Sequence, residues 1–508
     1  MNIVTRRGGS FDPAAAPRLY TIRARITIAF VLLAAGWSPA PVKAQEQIEL
    51  DRFEEECGGT DPAEAEHAEE EESRFSDQCI PLAVIPERPR PLLEIGQPFL
   101  GTGPIGKGFT LPTGAVWQPA FMAFGTVRSA LQGGRLSEGT ELVEAVARLD
   151  LFGNLYLTQT ERVVVGFRPV DQDGSFTGVT FRSPDPESLP EEFSSELNGD
   201  LETLFFEGDL GEIFPNFDKD DNSGWDVYFS VGRQPLAFQD GMLLNENSMD
   251  MVGLTRANVP MGVSTRITGV AGWGGVSRRG DGESFEDLDA SLFGLFTEID
   301  FRSTTLELDA VYVRSVTGGD GVYVALGDTR RFGSFNNTLR VMGSFPAGEE
   351  TAYNRSGGLL HNQFSWTPHH NHNFWYVSSF VGFGEFRSAA RGPEAGGPLG
   401  RTGVLFAAPG IGHIGAPLGN DTDDAVGGAV GYQMFFGHTR QQLIAEVGGR
   451  GRYRNAIGMG REDMAGVGLR FQAAAGRRFV FVIDGVASRD FDTQENLILG
   501  RLELVLKL

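Results

Sequence analysis

A transmembrane antiparallel β-barrel of about 16–18 strands, preceded by a short acidic extension, is the fold this 508-residue sequence predicts. Three observations predict it. From residue 115 onward apolar residues recur at every second position, which is the strand period. Beyond the N-terminus there is no run of 18 apolar residues, so no helical span is expected. A secretory-type leader opens the chain, and the alternation runs to the final residue, as expected of a C-terminal strand that closes a barrel.

Composition excludes several classes. The net charge of −24 argues against a nucleic-acid partner, which needs a basic face. Two cysteines exclude a disulfide scaffold and any multi-Cys zinc or iron–sulfur site. Glycine, at 68 residues, is about twice its usual share of roughly 7%. Only Lys43, Lys107, Lys219 and Lys507 are lysine, so nearly all the basic residues are Arg. The mean hydropathy of −0.15 suits a barrel, because every second strand residue faces water.

The elements follow in order. Residues 1–44 read as a cleaved signal peptide: Arg6, Arg7, Arg18, Arg23 and Arg25 are basic, Ile26 to Trp37 are apolar, and Val42-Lys43-Ala44 ends the stretch. Residues 45–80 are an acidic segment, densest at Glu54 to Glu56 and Glu69 to Glu72. Cys57 and Cys79 bracket these runs and can close a loop in an oxidising compartment, worth ~3 kcal/mol in the chain-entropy model. Residues 81–114 are a Pro- and Gly-rich linker. Within it, Gly101 to Gly108 nearly matches a phosphate-binding loop, but Gly108 stands where a hydroxyl must bind Mg²⁺.

Residues 115–508 form the expected barrel. Val143, Ala145, Ala147, Leu149 and Leu151 share one face, against Glu144, Val146, Arg148 and Asp150 on the other. Leu306, Leu308, Ala310 and Tyr312 repeat the pattern, as do Ala465, Val467, Leu469, Phe471 and Ala473, and Ile498, Gly500, Leu502, Leu504, Leu506 and Leu508. With the apolar face toward lipid, Glu144, Arg148, Arg162, Arg266, Glu307, Asp309, Arg340, Arg470, Arg501 and Glu503 face the lumen as pore-lining candidates of both signs. Residues 387–424 break the alternation and read as a long loop that either caps the barrel or folds into it. Residues 169–193 read as a second external loop.

At Val227 to Leu243 the chain reads VYFSVGRQPLAFQDGML, and Met249 to Arg256 returns on the next strand. Gly232, Arg233, Gln234, Phe238, Asp240 and Gly241 make this stretch resemble alginate-export-type outer-membrane barrels and related porin-like families. The resemblance covers about 30 residues. It implies a large monomeric channel for passive diffusion. Those families commonly end in an aromatic residue, whereas this chain ends in Leu508.

Other chemistry is weak. Asp218, Asp220 and Asn222 occupy positions 1, 3 and 5 of a calcium-like loop, but the glycine is one place late and Phe229 stands where Glu belongs. His369, His370 and His372 lack a nearby fourth ligand and read more simply as a turn. His361 and Ser365 match no catalytic motif, so no enzyme and no cofactor is expected. The sequence therefore predicts a porin-like channel for small hydrophilic solutes in a Gram-negative outer membrane. Lipid and the barrel-assembly machinery are its expected partners. The alternative is a closed or plugged barrel that binds partners through external loops, which bulky apolar residues turned inward would mark.

Overall fold

Eighteen strands of alternating sequence pair side by side, and the last returns to the first. In chain order they are β1 Ala120–Arg135, β2 Glu141–Tyr156, β3 Arg162–Phe167 continued by Ser175–Ser183, β4 Leu201–Asp209, β5 Tyr228–Phe238, β6 Leu244–Arg256, β7 Ser264–Trp273, β8 Ser291–Asp300 and β9 Thr304–Arg314. The second half is β10 Gly321–Phe332, β11 Phe335–Pro346, β12 Gly357–Trp366, β13 Phe374–Gly384, β14 Ala425–Phe436, β15 Gln441–Arg452, β16 Met464–Ala475, β17 Phe479–Asp490 and β18 Asn496–Lys507. Every neighbouring pair is antiparallel, and β18 pairs with β1 from Ile498↔Arg135 to Lys507↔Thr126. The ring is closed, so neither strand has a free edge to aggregate. This computed structural model describes residues 89–96, 108–135, 141–172, 174–183, 192–217, 226–259, 263–368, 372–437, 439–453 and 463–508. The leader, the acidic segment, Cys57, Cys79, Asp218, Asp220, Asn222, His369 and His370 lie outside the described residues.

Apart from the broken β3 and β4, the strands run from 10 to 16 residues, enough for the 9–11 that a tilted membrane strand needs. Their outward residues are exposed and apolar: Val143, Leu308, Val324, Val377, Val447, Leu469 and Ile498. Trp366, Trp375, Phe332 and Phe335 are exposed at the end that carries the termini and short turns, where an aromatic girdle meets the interface.

Two segments differ from the sequence expectation. Residues 175–183, expected in an external loop, are strand, pairing with β2 from Glu141↔Ser183 to Ala147↔Thr177. The strand is interrupted at 168–174, where Asp171–Gln172 folds back against Ser175–Phe176. Polar residues at the break masked the continuity. Within the stretch expected as linker, Leu93–Ile95 pairs with Phe121–Ala123 of β1, beyond the point where β18 ends.

Candidate functional site: an inward loop and the charged lumen wall

The connection between β13 and β14, residues 385–424, reaches β1, β2, β6, β15 and β17. β6 and β15 lie on opposite sides of the ring, so a single loop can touch all five only from inside it. Ala390–Arg391 pairs in parallel with Leu244–Asn245 at the start of β6. Arg128 of β1 donates to the carbonyls of Pro409 and Gly410. Ser488 of β17 donates to the Pro417 carbonyl, and Arg450 of β15 to that of Leu418. Leu399, Leu405, Phe406 and Leu418 are fully buried between loop and wall, and Phe406 meets Phe380 of β13 edge to face. The sequence left open whether this loop caps the barrel or narrows it; it narrows it.

A second inward element comes from the β7–β8 connection, the hairpin Val276–Gly280 with Glu283–Asp287. Its turn residues Asp281 and Gly282 both have positive φ, 51° and 86°, the geometry that Asp-Gly selects. Arg278 from this hairpin is 1% exposed and donates to the Ala389 carbonyl, the Tyr323 hydroxyl and the Tyr353 carbonyl.

The wall is charged, and the ten sequence candidates fall into four groups on it. Arg470, Arg501 and Glu503 belong to one lateral chain: Arg470–Asp484 2.8 Å, Arg501–Asp484 2.6 Å, Arg501–Glu503 3.2 Å and Arg128–Glu503 2.6 Å. It crosses β16, β17, β18 and β1 and reaches the loop through Arg128. Glu144 and Arg148 of β2 also meet the loop. Glu144 accepts from the His413 N–H, and Arg148 pairs with Asp150 at 3.1 Å and with Glu394 at 2.5 Å. Glu307, Arg340 and His361 occupy one lateral row across β9, β11 and β12. Asp309 accepts from Gln239 at 2.7 Å. His361 is 1% exposed, and neither ring nitrogen has a hydrogen-bond partner among the described residues. Arg162 and Arg266 stand apart, toward the terminus end, paired with Glu207 and Glu298.

Sequence reasoning missed the charged residues of the inward loops, because strand alternation says nothing about them. Arg391 is 1% exposed and has only carbonyl partners, on Gly241, Ala395 and Gly396. Burial first, and then the charges of Arg279 and Arg401, push its guanidinium down to about 9. Burial would raise the Asp421 carboxyl, but Arg450 and Arg452, at 2.8 and 3.1 Å, outweigh it and hold the group at about 2. Arg387 joins Asp423, Asp281 and Glu385, and these carboxylates hold it charged against burial.

Beside a small void of about 40 Å³ between Val404, Ile414, Val486 and Leu499, among others, three larger cavities border the loop. One of about 260 Å³ is lined by Arg279, Arg387, Arg391, Arg452, Asp421 and Asp423, among others. One of about 180 Å³ shares Arg279 and Asn420 with it and adds Glu394 and His413. One of about 210 Å³ shares Pro393 and Glu394 with the second and is acidic, with Asp200, Glu202, Glu246 and Glu286. Shared lining residues place the three next to one another along the loop, with carboxylates prominent in the last and four arginines in the first. Among the described residues no three His, Cys, Asp or Glu are placed to hold a metal ion.

No family model and no curated protein matches the chain. Solved structures do. OccK2 (OpdF) of Pseudomonas aeruginosa superposes with a TM-score of 0.51 at 12% identity, covering 76% of this chain and 98% of that one. A BenF-like porin from Pseudomonas fluorescens Pf-5 gives the same four figures. OccK7 (OpdD) of P. aeruginosa gives 0.51 at 9% identity, with the same coverages. The resemblance at residues 227–256 therefore holds at its broader level, a porin-like barrel, while its alginate-export part has no counterpart in these structures. At such identity the likeness is one of fold: this chain has the closed, 18-stranded barrel of an outer-membrane porin.

Proposed function

We propose that the protein is an outer-membrane channel of a Gram-negative bacterium, exported by a cleaved signal peptide, through which small hydrophilic solutes diffuse without an energy source. One observation carries the reading: the long loop lies inside the closed ring, and the three larger cavities beside it are lined by charged groups. A structural plug would fill that space with apolar side chains. Here large apolar residues of the loop, Leu399, Leu405, Phe406 and Leu418, are buried between loop and wall, and charged groups border each of the three larger cavities. Each cavity is below the ~300 Å³ at which drug-sized sites begin, which suits small solutes. Carboxylates and guanidinium groups facing these cavities orient solutes and water.

The alginate-export resemblance has a structural explanation. Gln239, Asp240 and Gly241 form a turn of three positive-φ residues, and Phe238 stacks on Phe296. The Gly241 carbonyl accepts from Arg391. The motif thus shapes a tight hairpin and seats the inward loop, without requiring a polymer as cargo. Single-channel recording of the refolded protein in a planar bilayer tests the proposal. Stable conductance steps support a channel. A silent bilayer from a folded, heat-modifiable barrel moves the weight to the closed, partner-binding alternative.

A further inference from the structure

We infer that Glu144 and Glu446 are the positioning residues of the constriction: two buried wall carboxylates that hold the inward loop by its backbone N–H groups and so set the bore. This rests on the channel reading.

The two attachments are built alike. Gly403 and Gly412 both adopt left-handed backbone, with φ of 60° and 72°. In each case the N–H of the next residue donates to a carboxylate: Val404 to Glu446 at 3.0 Å and His413 to Glu144 at 2.8 Å. Leu405 N–H adds a donor to Glu446 at 2.8 Å, and the Tyr376 hydroxyl supplies another. Gln132 Nε2 adds one to Glu144 at 2.6 Å, while His413 Nδ1 faces its second oxygen at 2.8 Å. A Cβ on Gly403 would fall on Glu446, and one on Gly412 on Gln132 and Glu144. A left-handed residue that turns N–H groups inward makes a small anion-binding concavity. The loop carries two of them, and the wall supplies both anions.

The energetics point the same way. Glu144 is 0% and Glu446 4% exposed. A carboxylate so buried is costly unless charge-assisted hydrogen bonds satisfy it. Between Gly396 and Asp424 the loop has no helix or strand, so its backbone groups have no ladder of their own. In its span Pro409 to Pro417 the large apolar residues are Ile411, packed with Ala130, Val146 and Phe176, and Ile414; the rest are Pro, Gly, Ala and His413. Apart from the packing of Leu399, Leu405, Phe406 and Leu418 on the wall, the ties from Arg128, Arg148 and Arg450 are long side chains donating to carbonyls, and they can follow those carbonyls as they move. The carboxylates act from β2 and β15, so together they hold the loop at residues 404–405 and at residue 413.

The test uses the full mature protein refolded in lipid, with Glu144→Ala, Glu446→Ala and the conservative Glu446→Gln, and two readouts. Heat-modifiability on gels first confirms a folded barrel for each. Trypsin then reports loop release at Arg401, an exposed loop residue. Planar-bilayer recording reports the bore. Each alanine variant is expected to cleave at Arg401 roughly tenfold faster and to show larger, noisier steps, roughly twofold in conductance. Glu446→Gln keeps one acceptor oxygen and should restore most of both. Parental cleavage in both alanine variants overturns the inference, as does parental conductance in variants of a conducting parent. A silent parent with faster cleavage in the variants removes the channel reading and keeps the attachments.

Discussion

Arg279 borders two cavities, and its side chain has no hydrogen bond or ion pair among the described residues. Arg387, Arg391 and Arg452 share the larger of these cavities with it, and each is held in place by its own partners. A guanidinium that faces space instead of a carboxylate leaves its field available to a passing anion. Arg279→Gln should shift the reversal potential in a salt gradient toward cation preference, changing the permeability ratio roughly threefold, with conductance steps retained. An unchanged reversal potential would show that another site sets selectivity. Asp421 makes a second prediction, in pH. Its folded value of about 2 lies below the ordinary 3.8, so its stabilisation is fully present above about 4 and is lost as pH falls through about 4 to about 2. Hydrogen exchange of the 418–423 amides, corrected for intrinsic rate, should rise through that window in the parent. In Asp421→Asn the step should be absent and exchange already fast at pH 6.

At the scale of elements, the row Tyr376–Gly431–Glu446 shows how three neighbouring strands build one contact. The residues stand opposite one another on β13, β14 and β15. A Cβ at Gly431 would overlap the Tyr376 ring, so glycine there lets the ring lie across β14 and its hydroxyl reach the carboxylate. Tyr376→Phe should cost about 1–2 kcal/mol in reversible urea unfolding in lipid vesicles, since it removes one donor from a buried charge. Strands of this kind were legible in the sequence: the alternations at 143–151, 306–312 and 498–508 fix which face meets lipid, because one residue of slip would turn every apolar side chain to water. The break in β3 was not legible. Polar residues at 168–174 look like a loop whether the chain leaves the sheet or only bulges from it. The inward hairpin carried a local signal in Asp281-Gly282, but nothing local says that a hairpin points into a lumen. Glu446 shared a face with no stronger motif, and its role depends on a loop some forty residues earlier in the chain.

For the whole molecule, closure is the property from which the rest follows. A ring of 18 strands leaves an interior wide enough for the chain to send two of its own connections back inside, and those connections narrow what the strand number opened. Closure also separates what the barrel needs from what precedes it. The β18–β1 seam runs over Thr126 to Arg135, and Leu508 continues it by donating to the Gly125 carbonyl. Below that point β1 would present a free edge at Phe121 to Ala123, and Leu93–Ile95 covers it. Three residues covering an edge are not part of the ring. A chain truncated to begin at Gln97 should therefore still refold into a heat-modifiable barrel with parental conductance, while the amides of Phe121 to Ala123 lose protection from exchange roughly tenfold or more. Failure to form the barrel would mean that the strand before β1 nucleates the seam, and the order of assembly would then run from the N-terminal extension to β1 before β18 arrives.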